Sequence, residues 1–400
     1  MDGTGEPLLR NVRFRRLWIG QGVSFAGDAV STIALVVLVV QVSGSASAVG
    51  GALVARLLPT LASPLAGVFA DHLDRRVVLV TSDVVRAVLV FGLVFAENLA
   101  TIYALVFFMG LGRTFFYPTI RAAFPSVVGG GDLARANALI SGTFSVSETA
   151  GPALGGLLVA VVGVEAAFVL DAATFLISAA FLARIPLPRA QTGEGAAFGR
   201  ELRAGLEYLA GARVPLALVV GAFLIVLTIN TTIPAEVFLA RDTFRAGDFG
   251  YGLLVGLYGG GMVLGSALIG VLGDRTRLLP FYFLSLFVCV LALLATGLSP
   301  TFVLALAALT VAGVANGIDN VTTDTILQKR VPGDLLGRVF SVRFLGFSAG
   351  EVLAYPLGGV IVDASGPRSA YVLAGAATAI VGLLILLLVA TATTGRTPDG

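Results

Sequence analysis

The chain has 400 residues, of which 57% are hydrophobic and only 12% charged, and its mean hydropathy is +0.95. Soluble domains carry about 25% charged residues, so this composition excludes a soluble protein and predicts a polytopic membrane protein. The net charge of +2 gives no reason to expect a nucleic-acid partner, and one cysteine and one histidine exclude an internal disulfide and a histidine-based metal site.

Apolar segments predict twelve membrane-spanning helices, the number that 400 residues accommodate at about 20 residues per span. The first segment follows four arginines, but it is too long for a signal-peptide core and carries Asp28, so we interpret it as a span. The predicted spans are residues 17–42, 49–70, 78–97, 101–124, 136–161, 164–184, 214–240, 250–273, 279–297, 302–325, 338–362 and 368–391.

The longest polar connection separates the first six predicted spans from the last six. Residues 185–213 carry apolar side chains at helical spacing from Phe198 to Leu209, which predicts an amphipathic helix on the membrane surface. We therefore predict an N-terminal six-helix bundle at residues 1–184, a cytoplasmic linker at 185–213 and a C-terminal six-helix bundle at 214–400.

Basic residues in the loops predict the orientation. Twenty of them fall on one side of the membrane, against three on the other, which are Arg241, Arg245 and Arg368. Loops rich in arginine and lysine stay in the cytoplasm. The sequence thus predicts a multi-pass protein of the cytoplasmic (inner) membrane with both termini in the cytoplasm.

A charged turn lies between the second and third predicted spans. It contains Gly67, Asp71, Arg75 and Arg76, and a weaker copy with Asp274 follows 203 positions later. The arginines hold the turn in the cytoplasm, while Asp71 can accept hydrogen bonds from the N-terminus of another helix. These five residues are the candidate conformational latch.

Two further segments repeat at nearly the same offset. Residues 151–156 correspond to 354–359, and residues 131–133 correspond to 333–335. The matches predict halves of one topology, related by an axis along the membrane normal with a cavity between them. In the first copy Gly151, Pro152, Gly155 and Gly156 combine a broken backbone ladder with small side chains, which predicts a hinge.

Ionisable residues inside the spans are the candidates for chemistry, because each charge facing lipid costs about 2.5–3.5 kcal/mol. The proton-coupling candidates are Asp28, Glu148, Glu351 and Asp319, and the cavity cations are Arg113 and Arg56. Asp28 and Arg113 lie about midway along their spans, where they form either a static ion pair or a pair that binds and releases a proton. Arg56 either faces the cavity or reaches the outer boundary.

Other charged residues favour structural roles. Asp83 and Arg86, three positions apart, predict a local interface pair. Asp171 and Glu236 fall near the outer ends of their spans, where we expect water or a helix end to solvate them. Glu148 and Glu351 have no evident arginine at equal depth, which favours a titrating role.

Aromatic residues of three spans could line a pocket for a bulky substrate, or they could face lipid and pack between helices. They are Phe115, Phe116, Tyr117, Tyr258, Phe344, Phe347 and Tyr355.

The charged turn resembles the loop motif Gly-x-x-x-Asp-Arg-x-Gly-Arg-Arg of the major facilitator superfamily. It departs at His72 and Asp74, as in the drug- and siderophore-exporter branch. Residues 147–156 resemble the fifth-helix signature of superfamily antiporters, with Ser147 in place of the first glycine. Residues 14–18, 82–87 and 132–139 resemble the enterobactin-exporter-like and macrolide-efflux-like branch.

The resemblance implies a monomeric secondary transporter that exports drugs or small amphipathic or apolar metabolites by alternating access, with the proton gradient as its energy source and no cofactor. Uptake by symport or facilitated diffusion is an alternative, and a sensor or scaffold that moves no solute is another. The residues show no cluster of nucleophile, base and donor, so we do not expect an enzyme.

Overall fold

The computed structural model describes residues 8–62, 73–128, 132–187, 198–272 and 278–394, and within these ranges the chain is helical without a strand. Eleven described helical segments are long and apolar enough to cross a membrane, with the interrupted segment Arg213–Thr243 counted as one. The remaining predicted span, 49–70, is described only to Ala62, as a helix followed by a 3-10 turn at Leu58–Ala62. The predicted all-α membrane class is confirmed.

The first half of the chain contains six helices, one in each of its predicted spans. They are α1 Val12–Ser43, α2 Ala46–Leu57, α3 Arg75–Gly92, α4 Leu99–Val128, α5 Leu133–Val162 and α6 Val164–Leu182. Helix α7 spans Phe198–Gly211 in the linker. The second half contains α8 Arg213–Ile229, α9 Ile233–Phe238, α10 Gly247–Leu272, α11 Leu278–Leu298, α12 Phe302–Arg330, α13 Gly333–Ser365 and α14 Pro367–Thr394.

The structure divides the predicted span 214–240 into two α-helices. A 3-10 turn at Asn230–Thr232 separates α8 from α9, and a π-helical turn at Leu239–Thr243 follows α9. Pro234 lies at the start of α9. A proline lacks the backbone donor that a continuous helix would need at this point, so the interruption falls where the sequence permits it.

The described chain forms two compact units. Unit 1 comprises Met1–Gly44, Gly51–Gly195 and Gly247–Gly252, and unit 2 comprises Ser45–Gly50, Ala196–Ala246 and Leu253–Gly400. Each unit therefore includes a six-residue segment from the other half of the chain. We call these two segments, Gly247–Gly252 in unit 1 and Ser45–Gly50 in unit 2, the exchanged segments. The predicted bundle boundaries at residues 184 and 214 stay a prediction.

The two units share one packing pattern. In unit 1, α1 packs against α5 and α6, and α3 packs against α4 and α6. In unit 2, α8 packs against α13 and α14, and α11 packs against α12 and α14. Each contact of the first set has its counterpart in the second, as expected for duplicated halves.

Close helix packing in unit 2 depends on four glycines. Gly261 and Gly265 of α10 face Gly313 and Gly317 of α12, and a Cβ atom at any of them would overlap the backbone of the opposite helix. Two small-x-x-x-small motifs thus face each other, which lets the backbones approach closely where lipid offers no hydrophobic driving force.

We predict that Gly265→Ala lowers the thermal unfolding temperature of the purified protein in detergent, because its methyl group would overlap the carbonyl of Val314. The expected cost is about 1–3 kcal/mol. Gly270→Ala is the matched control on the same helix, since no atom lies within 4 Å of the new Cβ. Equal unfolding temperatures for the two variants would contradict the packing argument.

Candidate functional site

Asp28 of α1 lies at the centre of a polar network in unit 1. Its Oδ1 lies 3.6 Å from Nη2 of Arg56, and its Oδ2 lies 4.0 Å from Nη1 of Arg86. Arg56 also donates from Nη1 to the Thr32 hydroxyl at 2.6 Å, and that hydroxyl donates to the Asp28 carbonyl at 2.7 Å. One carboxylate is therefore shared by guanidinium groups from two neighbouring helices.

The position of Arg56 depends on a close helix contact. A Cβ atom on Gly110 of α4 would overlap the carbonyl oxygen of Arg56, so only glycine lets α4 lie this close to α2. This geometry differs from the expected pairing of Asp28 with Arg113. Arg113 acts on Asp28 electrostatically, but its Nη2 donates to the Tyr117 hydroxyl at 3.3 Å, one turn along its own helix.

Arg86 and Asp83 form a second ion pair, and both side chains are buried. The Arg86 guanidinium carbon lies 4.6 Å from the ring centre of Phe116 and 4.3 Å from that of Phe175. Aromatic faces attract a desolvated cation, so the guanidinium is stabilised on three sides. The expected local interface pair is instead part of the core of unit 1.

Asp171 lies in the same core and differs from its expected place near water. Its side chain is 0% exposed, and its Oδ1 accepts a hydrogen bond from the Thr174 hydroxyl at 3.2 Å. Its Oδ2 is buried without a hydrogen-bond partner among the described residues. A Cβ atom on Gly27 would overlap both Asp171 and Thr174, so α1 can pack here only through glycine.

Glu148 of α5 is exposed, yet it is not remote from cations. Arg56 and Arg113 attract its carboxylate, whereas Asp28 repels it. Glu148 therefore interacts electrostatically with two arginines, whereas the sequence suggested that it has none nearby.

An open depression of about 370 Å³ lies along α5. Its lining consists of Ala138, Leu139, Gly142, Thr143, Val146 and Ser147. Trp18 donates from Nε1 to the Thr143 hydroxyl at 2.8 Å, and the rings of Phe25 and Phe144 pack edge to face at 5.3 Å. Small side chains flanked by aromatic rings give a mostly apolar surface with hydroxyl groups.

The predicted cavity aromatics have different surroundings. Phe116 and Tyr355 are buried, Phe344 is exposed, and Phe115, Tyr117, Tyr258 and Phe347 are half-buried. Phe116 packs on Arg86, and Tyr117 contacts Arg113. Their role in substrate binding stays a prediction.

Unit 2 holds a separate set of charges. Nη1 of Arg343 in α13 lies 2.9 Å from Oδ1 of Asp324 in α12. Arg343 also attracts the carboxylate of Asp319. Asp319 Oδ1 is buried without a hydrogen-bond partner in the described ranges.

Two further acids of unit 2 are Glu351 and Glu236. The Tyr355 hydroxyl donates to Glu351 Oε1 at 3.2 Å. Glu236 is buried, which corrects the expectation that water solvates it.

The predicted latch is described only in part, since Gly67, Asp71 and Asp274 lie outside the described residues. Arg75 donates from Nη1 to the Ala122 carbonyl at 3.3 Å, which joins the start of α3 to α4. Asp74 accepts from the amides of Arg76 and Val77 at 2.9 and 3.3 Å and so caps α3.

The two glycine-rich repeats pack in the same way. Gly155 lies against Val30 of α1, and Gly358 lies against Thr231 next to α8. The next glycine of each repeat meets an exchanged segment: Gly156 meets Gly252 in unit 1, and Gly359 meets Ser47 in unit 2. Helix α5 continues through Pro152, and the hinge role stays a prediction.

Asp363, seven residues after Pro356, caps the exchanged segment in unit 2. Its Oδ1 accepts from the Ala46 amide at 2.8 Å, and its Oδ2 accepts from the Ser47 amide at 3.0 Å and the Ser45 hydroxyl at 2.8 Å. A carboxylate at a helix N-terminus satisfies free amides and favours the helix dipole. This contact could not be predicted from the sequence, because its partners are more than 300 positions apart.

Comparison with known proteins identifies the family. The sequence profile described as "Transmembrane secretion effector" matches residues 4–396. The chain belongs to the major facilitator superfamily.

Relatives of this chain include an uncharacterized transporter, a macrolide efflux protein and a putative exporter. The MFS-type transporter YfiS of Bacillus subtilis is 26% identical over 400 residues, which cover 96% of this chain and 94% of YfiS. Macrolide efflux protein A of Streptococcus pyogenes is 23% identical, with 91% and 93% covered. The putative bacilysin exporter BacE of Bacillus amyloliquefaciens is 27% identical, with 82% and 83% covered.

A crystal structure of a variant of the nucleoside transporter NupG has the same fold as this transporter. The TM-score is 0.79 at 14% sequence identity, and the match covers 94% of this chain and 99% of NupG. The predicted two-bundle fold of twelve helices agrees with this likeness.

That Asp83, Arg86 and Asp171 are buried in the core of unit 1 was not predicted from the sequence. A signal was present for the first two, because the buried positions of α3 recur at helical spacing and include Leu79 and Val90 as well as both charged residues. A signal was present for Asp171 as well, because Thr174 and Ser178 follow it at helical spacing on the buried face of α6.

We predict that Arg86→Gln destabilises the transporter by about 3–5 kcal/mol, because it leaves the Asp83 carboxylate buried without its cation. The double variant Asp83→Asn/Arg86→Gln should recover part of the loss, since both buried charges are then removed. Thermal unfolding in detergent measures both effects. A double variant no more stable than the sum of the single losses would show that the two residues act independently.

We predict that Asp363→Ala lowers stability by about 1–2 kcal/mol through loss of the helix cap. Glu97→Gln removes an exposed acid at another helix end and serves as the control. The measurement is urea or thermal unfolding of the full chain, and an effect of Asp363→Ala no larger than that of Glu97→Gln would refute the capping role.

Proposed function

We propose that the transporter exports small amphipathic or apolar molecules from the cytoplasm in exchange for protons, and that the network around Asp28 couples the two movements. The sharing of Asp28 between Arg56 and Arg86 is the observation on which this proposal depends. The efflux relatives support the direction of transport.

The charges of the network favour a proton partner. The network around Asp28 consists of the acids Asp28, Asp83, Glu148 and Asp171 and the cations Arg56, Arg86 and Arg113, which interact as ion pairs or electrostatically. Arginine stays charged at any pH of interest, so the full set cannot be neutral unless one carboxylate binds a proton. A low-dielectric environment disfavours the excess negative charge.

The two arginines bound to Asp28 differ in what else holds them. Arg86 keeps Asp83 and two aromatic faces when Asp28 is neutral. Arg56 keeps only the Thr32 hydroxyl among its close contacts in the described structure. Protonation of Asp28 therefore frees Arg56 first, and the contact between α1 and α2 is the one that weakens.

Glu148 provides a second site for the freed cation. Its carboxylate already attracts Arg56 and Arg113 from the exposed face of α5. When Arg56 leaves Asp28, its guanidinium can move toward Glu148. Glu148 follows Ser147 in the chain, and Ser147 is part of the lining of the depression. Proton binding at Asp28 thus changes the charge at the edge of the surface where a substrate would bind.

The residues that line the depression along α5 have the chemical character that an amphipathic ligand needs. Its lining is mostly apolar, with hydroxyl groups at Thr143 and Ser147 and no charged residue. Apolar surfaces with few polar groups bind ligands of low polarity and broad shape.

We predict that Asp28→Asn abolishes transport driven by a pH gradient while exchange of substrate across the membrane continues. An amide cannot bind and release the proton, but its size leaves the packing of α1 unchanged. The test uses inside-out vesicles, an acidic interior and erythromycin as the macrolide probe, and the expected loss is at least about tenfold.

Counterflow of erythromycin without a pH gradient separates coupling from folding, and Glu97→Gln is the control for loss of an acid. Full gradient-driven uptake in Asp28→Asn would overturn the coupling role. Accumulation that requires an alkaline interior would instead support symport.

A further inference from the structure

Helix α7 contacts the C-terminal end of the span α12 and the N-terminal end of the span α13. The Tyr208 hydroxyl donates to the carbonyl of Arg330, the last residue of α12, at 3.3 Å. Gly205 packs against the carbonyl of Arg338 in the second turn of α13, where a Cβ atom would come within 2.8 Å. Because membrane spans end at the level of the lipid headgroups, α7 lies at that level too.

The outer face of α7 combines apolar and charged residues. Leu206 is 51% exposed, and the neighbouring Arg203 side chain is 81% exposed and bonded to Glu207 at 2.8 Å. Leu209, by contrast, is buried on the face toward α13. An exposed leucine beside charged residues is typical of a helix at the membrane interface.

Three cations lie near α7, either just after it in the chain or at its contact with the end of α12, and none has a carboxylate partner in the described part of the chain. Arg213 begins α8, while Lys329 and Arg330 end α12, and all three side chains are exposed. The nearby pairs Arg203–Glu207 and Arg343–Asp324 use other arginines. Asp334 is the exposed acid in the first turn of α13, so the surface keeps an excess of positive charge.

We propose that Arg213, Lys329 and Arg330, which lie near α7, bind the headgroups of anionic phospholipids. The three cations are fixed at headgroup depth by the ends of α8 and α12, and Leu206 can contact the acyl chains beside them. A phosphate group at this depth meets cations that no carboxylate of the described chain neutralises, and such clusters favour anionic lipids. The proposal depends on the membrane placement of the chain and not on the direction of transport.

The test measures phosphatidylglycerol that stays bound to the full-length protein after purification from mixed phosphatidylcholine and phosphatidylglycerol nanodiscs. The triple variant Arg213→Gln/Lys329→Gln/Arg330→Gln should retain about tenfold less phosphatidylglycerol than the wild type. Retention should also fall at high salt, because these side chains are exposed.

The matched control is Arg10→Gln/Arg13→Gln/Arg15→Gln, which removes the same charge from exposed residues at the start of α1. Wild-type retention by the control supports a specific surface, whereas an equal loss in both triple variants overturns it. Displacement of the lipid by inorganic phosphate alone would also overturn the lipid assignment. If the triple variant does not fold, Arg213→Gln and Lys329→Gln are measured singly, and unchanged retention in both refutes the proposal.

Discussion

The carboxylate of Asp28 holds parts of three spans together. It joins α1 to Arg56 of α2 and Arg86 of α3 in an apolar environment. Burial of these charges would cost several kcal/mol per ion if they were separated, so the helices must keep them in contact or supply water or a proton. The other features of unit 1 follow from this constraint: glycines at positions 27 and 110 let neighbouring helices come close, and aromatic rings cover Arg86.

The two halves use one packing pattern for different chemistry. Gly110 lies against the carbonyl of Arg56, and Gly313, which lies 203 positions later, lies against the carbonyl of Tyr258. The same close approach thus presents a cation in unit 1 and a phenol in unit 2. Duplication preserved the backbone contact, because only glycine fits it, while the side chain at the adjacent position was free to change.

Hydropathy and charge predicted the fold well, because both depend only on the order of residues. The span at 164–184 became helix Val164–Leu182, and the charged residues Asp28 and Arg56 were recognised as cavity candidates. Pairing was harder to predict, since it depends on how each helix is rotated about its axis. Arg113 contacts Tyr117 and not Asp28, and Asp171 faces α1 and not water. The segment with Gly67 and Asp71 lies outside the described residues, so that part of the latch remains an inference from the motif.

The exchanged segments have a consequence for the order of folding during synthesis. Unit 1 includes Gly247–Gly252, and the start of α2 takes its cap from Asp363. The first six helices can therefore enter the membrane early, but their tertiary contacts are finished only when residues of the second half have been made. Contacts of such long sequence separation form late and slowly. Until the ribosome has nearly completed the chain, the start of α2 in the nascent first half has only its local cap, the Ser45 hydroxyl that accepts from the Ala48 amide, and lacks the carboxylate of Asp363.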